Sequence, residues 1–256
     1  MGRLTAQARH EGMTHMADGV IVNIRPANYH ERFHEAFARV GWRIIDSPVL
    51  TPEPMGVALP DPGGFDALIF TSQIAVDMMG DDPAWREMMA YAVGAATAEA
   101  ARRAGFSRTI QAGLDSKDLA DVLAAAGFRR AFYPSAEDVG TDVSLDDPLR
   151  IRRLAVYRVV PSRTLSPAFL KRARDGGPTI VPLFSRRSAQ TLEGLLRESG
   201  ISDRATCLVA VAISADVLGP DAGPWQRRGV ADKPTLEAVV AKTTAMAAEL
   251  APGANR

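Results

Sequence analysis

The chain of 256 residues has one cysteine, Cys207, no formal net charge and no long apolar run. Each absence excludes something. A single cysteine rules out an internal disulfide and a cysteine-rich metal site, and it fits a reducing, cytoplasmic setting. Thirty basic and thirty acidic side chains cancel, which argues against a nucleic-acid partner or a membrane-surface face and leaves room only for a local basic cleft. No stretch approaches the roughly 18 apolar residues that a bilayer span needs. Met1 to Asp18 is polar and lacks the apolar core of a signal peptide. It reads as a disordered leader, 1–18, with Met13 or Met16 as a possible start.

What is present is an alternation of strand-like and helix-like segments. Val20 to Ile24 is a buried-strand run stopped by Arg25-Pro26, and Tyr29, Phe33, Ala36, Phe37 and Val40 recur with helical period up to Gly41. Arg43 to Val49 reads as a strand, and Thr51 to Gly64 is rich in Pro and Gly. Ala67 to Phe70, Ala90 to Val93 and Ala131 to Tyr133 are further short strands. A helix is expected within 111–127, opened by Ser116, and Asp138 to Asp147 is acidic and turn-like. Ile151 to Val160 reads as a long strand ended by Pro161. Helices over 165–174 and 188–198, strands over 179–184 and 207–213, and helices from Ser214 and after Pro234 complete the pattern. Strands alternating with helices imply an α/β protein with parallel sheets.

A faint repeat runs through it. Ile69-Phe70-Thr71-Ser72 is echoed 113 residues later by Pro182-Leu183-Phe184-Ser185, and Tyr91 to Gly94 is echoed 120 residues later by Val211 to Ser214. In each case a hydroxyl or glycine residue ends a strand and a helix follows. Glycine permits close approach, and a helix start offers unpaired N–H groups and partial positive charge, which suit an anion. Thr71, Ser72, Gly94, Thr97, Ser185, Ser188 and Ser214 are therefore candidate substrate contacts, although N-capping is the ordinary use of Ser and Thr at such positions. Arg25, Arg186 and Arg187 could pair with carboxylates, or could simply be solvated surface charges.

One motif points elsewhere. His30-Glu31-Arg32-Phe33-His34 fits the H-E-x-x-H pattern of zinc proteases. Both histidines fall outside the apolar stripe of their helix. A catalytic zinc needs a third ligand in a shielded pocket, and Glu53 lies among prolines. Trp85 and Trp225 read as core or interface aromatics.

Val22-Asn23-Ile24-Arg25-Pro26, Phe70-Thr71-Ser72, Val93-Gly94-Ala95-Ala96-Thr97-Ala98, Val156-Tyr157-Arg158, Phe184 to Ala189 and Ala231 to Thr235 follow one another in an order and spacing that resembles the uroporphyrinogen-III synthase family. The resemblance implies two similar lobes, each a parallel sheet flanked by helices, joined by a two-stranded antiparallel linker. It assigns 19–43 plus 162–256 to a discontinuous first domain, 53–150 to the second, and 44–52 and 151–161 to linker strands that permit hinge motion. The substrate it implies is hydroxymethylbilane, a linear tetrapyrrole with eight carboxylates, closed with inversion of the last ring to uroporphyrinogen III. Neither metal nor organic cofactor is expected, and a monomer is. The resemblance matches Tyr157 to the family's tyrosine and makes it the acid beside the leaving hydroxyl, since a phenol of pKa about 10 is protonated at neutral pH. Ser214 departs from the family's glycine or threonine, Asn23 stands in place of threonine or serine, and 133–150 is short for the family's helix. A rival reading is a two-lobed module that binds a tetrapyrrole or other polyanion without chemistry, and a second is a zinc hydrolase built on His30 and His34.

Overall fold

A computed structural model describes residues 19–113, 119, 122–123, 125–127, 129–138, 150–201, 207–219 and 223–250. The expected leader, the start of the helix at Ser116 and the acidic stretch after Asp138 lie outside the described residues. The chain divides into two compact units, Met1–Thr51 with Pro161–Arg256, and Pro52–Val160.

The first unit is built on a five-stranded sheet. Its strands are β1 (Val20–Asn23), β2 (Arg43–Asp46), β9 (Thr179–Leu183), β10 (Leu208–Ala212) and β11 (Arg227–Val230), in the order β11-β10-β9-β1-β2. Every pairing is parallel. Strands β1, β9 and β10 are buried along their whole length, which explains their continuous apolar sequence: a central parallel strand has no solvent face. Helix α1 (His30–Phe37) and the C-terminal helix (Leu236–Leu250) close one face. Phe33, Phe37, Trp42, Val239 and Met246 pack there against Ile21, Ile180 and Val209. Fully burying a side chain the size of Phe33 contributes about 1.5–3 kcal/mol. Gly19 is required by packing, because a Cβ there would stand 2.3 Å from the Trp42 ring.

The second unit carries β3 (Leu50–Pro54), β4 (Ala67–Phe70), β5 (Met89–Ala92), β6 (Thr109–Gln111), β7 (Arg130–Ala136) and β8 (Arg150–Pro161), in the order β3-β8-β7-β4-β5-β6. Helices α2 (Gln73–Asp77), α3 (Pro83–Arg86) and α4 (Ala95–Arg103) belong to this unit. Strands β4 to β8 pair in parallel. Trp85 is a core residue, its ring tilted against Phe132 at 4.9 Å and against Phe65 at 5.8 Å.

The two sheets share one strand order. Reading β11-β10-β9-β1-β2 against β6-β5-β4-β7-β8 places β1, the start of the described chain, where β7 stands in the other unit. The local geometry repeats as well. Val93 N–H donates to the Phe70 carbonyl at 2.8 Å, and Ile213 N–H donates to the Leu183 carbonyl at 2.9 Å. The faint sequence echo therefore marks equivalent strand ends.

The connecting strands differ from expectation. Residues 44–46, expected in the linker, are parallel partners of β1, with Asn23 opposite Asp46. The alternation of that segment satisfies a sheet edge, half exposed, rather than a free ribbon. The antiparallel pair is instead β3 with β8. Ser162 N–H bonds the Val49 carbonyl and Met55 N–H bonds the Val156 carbonyl, so one strand advances as the other returns. Arg158 and Glu53 join across it at 2.9 Å. Strand β11, with two exposed arginines, was not expected.

Candidate active site

In parallel α/β sheets, ligands bind beyond the carboxyl ends of the strands. Each unit presents its polar residues at that edge.

In the second unit, β4 ends at Thr71 and Ser72. Ser72 is the N-cap of α2 in extended backbone, and its Oγ accepts from Ile74 N–H at 3.1 Å. The same Oγ accepts from the Tyr157 hydroxyl at 3.3 Å. Both lone pairs of Ser72 are then occupied, and its own O–H is left to donate to a ligand. Tyr157 is 5% exposed. It reaches its place through a β-bulge: Ser135 pairs with Ala155, but Ala136 pairs with Tyr157, so Val156 is the extra residue. A bulge twists the strand and re-aims the side chain that follows it. Here Val156 and Tyr157 are both buried in succession.

Tyr133 is a residue that sequence reasoning missed. It is 2% exposed on β7, and its hydroxyl lies 3.0 Å from Thr71 Oγ1. Thr71 and Ser72, adjacent in the chain, thus each hold one phenol. The only sequence signal was a tyrosine near the end of a strand.

Gly94 caps α4 with φ of 75°, a left-handed conformation in which a side chain is strained, and open space lies where its Cβ would be. Ser214 needs no glycine because its φ is −152°. It shares extended backbone with Ser72 and Ser185, at −150° and −151°. The departure of Ser214 from the family's glycine or threonine therefore accompanies a different turn. Its side chain caps no N–H of the short helix Ala215–Leu218. Thr97 lies in the first turn of α4, but on its buried face, 7% exposed.

In the first unit, Ser185 caps the helix Arg186–Glu198, accepting from Ser188 N–H at 3.2 Å and meeting Ser188 Oγ at 2.7 Å. This helix has no acidic residue in its first turn and begins with Arg186 and Arg187. Two cations at the positive end of a helix oppose its dipole, an arrangement that an incoming anion relieves. Arg186 also lines a small cavity of about 120 Å³ with Gln190, Glu193 and Val217.

Arg25 follows β1. Its guanidinium carbon lies 4.1 Å from the centre of the Tyr29 ring and 4.6 Å from that of Phe184. Among the described residues it has neither a carboxylate partner nor a hydrogen bond from its side chain. Burial pushes its pKa below the ordinary arginine value, with the neighbouring Arg32 adding to the shift and Tyr29 opposing it. A guanidinium fixed between two rings and left without a counter-charge is suited to a carboxylate.

The two histidines of H-E-x-x-H turn to Asp46 rather than to a ligand set. His34 Nε2 lies 3.0 Å from Asp46 Oδ2, and His30 Nδ1 lies 3.6 Å from Asp46 Oδ1. Among the described residues, no group of three or more His, Cys, Asp or Glu side chains could hold a metal ion. No described helix is long and apolar enough to cross a membrane. Trp225, the other isolated tryptophan, donates from Nε1 to Glu193 at 3.0 Å.

A family model described as uroporphyrinogen-III synthase HemD matches residues 31–241. No curated protein matches the chain. Among solved structures, uroporphyrinogen-III synthetase from Helicobacter pylori 26695 is similar in fold, with a TM-score of 0.61 and 17% identity over 90% of this chain and 100% of that one. A mutant uroporphyrinogen III synthase from the extremely thermophilic bacterium Thermus thermophilus aligns at 16% identity over 91% of this chain and 99% of that one, with a TM-score of 0.47. The family match covers most of the sequence, from helix α1 into the C-terminal helix, and the chain belongs to the uroporphyrinogen-III synthase family.

Proposed function

We propose that Tyr157 is the proton donor of this enzyme and that the hydroxyl and arginine residues at the strand ends receive the carboxylates of its substrate. The family is that of a cyclising lyase of haem biosynthesis. Its substrate, hydroxymethylbilane, loses its terminal hydroxyl as water once that oxygen is protonated. The pyrrole nitrogen supplies the electron pair, leaving an electrophilic azafulvene. The substituted carbon of the last ring attacks it to give a spiro intermediate. That intermediate opens and recloses with the ring inverted, and a ring proton is released. What the protein must provide is a weak acid at the leaving oxygen, a folded substrate and donors for carboxylates.

The observation that carries this reading is the Tyr157–Ser72 hydrogen bond. It holds a phenol at the carboxyl edge of a parallel sheet, where Ser72 keeps a proton for a carboxylate. Rotation of the phenol O–H from Ser72 toward the leaving oxygen delivers the proton without moving the ring. Thr71, Gly94 and Thr97 in the second unit, and Arg25, Ser185, Arg186, Ser188 and Ser214 in the first, are assigned to substrate binding. Arg25 has the best-defined geometry of the set and Thr97 the least accessible. The enzyme is read as a cytoplasmic monomer that needs no cofactor and has no nucleic-acid partner. Turnover of hydroxymethylbilane by Tyr157→Phe tests the central assignment. A fall of about tenfold to a hundredfold, the low end of what a positioned acid contributes, is expected. Parental turnover would make the phenol structural.

A further inference from the structure

The environment of Arg25 is more elaborate than a cation resting on a ring. Its backbone is held from both sides by side chains that converge on one carboxylate. On the N–H side, Asn23 Oδ1 accepts from Arg25 N–H at 3.1 Å. Asn23 is fully buried, and its Nδ2 donates to Asp46 Oδ1 at 2.8 Å. On the carbonyl side, His30 Nε2 lies 3.0 Å from the Arg25 oxygen. A carbonyl only accepts, so the proton is on Nε2. The other ring nitrogen, Nδ1, stands 3.6 Å from Asp46 Oδ1. His34 completes the arrangement, its Nε2 donating to the same carboxylate at 3.0 and 3.1 Å.

These contacts lie at one edge of one sheet. Asn23 and Asp46 are register partners at the ends of β1 and β2. The histidines are four residues apart on α1, their rings stacked at 6.4 Å, so both reach the same point. The H-E-x-x-H pattern, which the reaction itself does not use, thereby acquires a structural reason.

We propose that Asp46 is a positioning residue for Arg25: through Asn23 it fixes the Arg25 N–H while His30 holds the Arg25 carbonyl, so that the guanidinium between Tyr29 and Phe184 is presented to a carboxylate of the substrate. Asp46 does not touch substrate; it acts through Arg25. The inference rests on the assignment of Arg25 as a carboxylate receptor. It adds that the receptor's affinity is set by a carboxylate one strand away. A loosened guanidinium weakens binding in ground and transition states alike, so the effect falls on KM rather than on kcat.

The test is a double-mutant cycle with hydroxymethylbilane as substrate, with kcat, KM and the melting temperature measured for each protein. Arg25→Gln is expected to raise KM about tenfold or more, as a lost charged contact does. Asp46→Ala is expected to raise KM about threefold to tenfold with kcat held within about twofold, the size of one or two lost hydrogen bonds. Asp46→Asn keeps an acceptor for Asn23 and is expected to restore most of the parental KM. In the Arg25→Gln background, Asp46→Ala is expected to raise KM no further. If Arg25→Gln raises KM but Asp46→Ala either leaves KM unchanged or multiplies it equally in both backgrounds, the positioning role is overturned while Arg25 remains a receptor. If Arg25→Gln leaves KM unchanged, the receptor assignment itself fails. Should Asp46→Ala not fold, Asn23→Ala, which removes the link between Asp46 and the Arg25 N–H, is put through the same cycle with the same expectation.

Discussion

The Tyr157 hydroxyl donates to Ser72 Oγ at 3.3 Å across 85 positions of sequence. Ser72 spends its other lone pair on Ile74 N–H. One small hydroxyl thus ties a phenol, a helix start and a strand end together. The arrangement joins stability to chemistry at a single atom, and the two can be separated by substitution.

Ser72→Ala removes the cap of α2 and the acceptor of Tyr157 together. The lost cap alone destabilises by about 1 kcal/mol, to be read from chemical denaturation. Turnover of hydroxymethylbilane falls less than in Tyr157→Phe, because the phenol remains but is no longer held. A variant as stable as the parent would mean that the cap contributes nothing measurable.

Gly94→Ala places a side chain at φ of 75°. No atom stands in its way, so the cost is backbone strain, about 1–3 kcal/mol. Ser214→Gly is the contrasting change: at φ of −152° it relieves no strain and only adds freedom to the unfolded chain. Denaturation midpoints of the pair check the contrast, and equal shifts would contradict it.

Asp46 gives a pH dependence of defined sign. Burial by itself raises its pKa, but hydrogen bonds from His34 and Asn23 and the charges of His30 and His34 outweigh that and hold it below the ordinary value. The folded protein then gives up the Asp46 proton more readily than the unfolded chain does. The stabilisation is fully present above the unfolded value, about 3.9, and is lost as pH falls through the lowered folded value. Asp46→Asn is expected to flatten that part of the acid-denaturation profile. An acid limb identical to the parent's would contradict it.

Much of the architecture was legible because it is written in local patterns. Val20 to Val22 and Ala67 to Phe70 are short apolar runs with no polar face, as central parallel strands require, and the helix from Tyr29 to Val40 shows its stripe plainly. Ser72, Ser185 and Gly94 could be placed at helix starts because a strand end followed by a helix start has its own signature. What escaped depends on pairing between distant segments. The bulge at Val156 exists only in register with β7. Tyr133 matters because Thr71, 62 positions away, meets its hydroxyl. Asp46 resembled an ordinary linker residue until β2 was seen lying beside β1. Strand β11, with Arg227 and Arg228 exposed, has too little apolar sequence to announce itself. The same limit applied to His30 and His34: helical arithmetic placed them off the apolar stripe, but the carboxylate they share is on another element.

The most direct measurement is the isomer composition of the product formed from hydroxymethylbilane. Spontaneous closure gives uroporphyrinogen I, in which the last ring is not inverted, so the uncatalysed reaction is its own control. Micromolar protein is expected to give predominantly the type III isomer, and Tyr157→Phe to return the mixture toward type I. Predominantly type I product at micromolar parental protein would contradict the catalytic account and leave a module that binds a polycarboxylate without rearranging it.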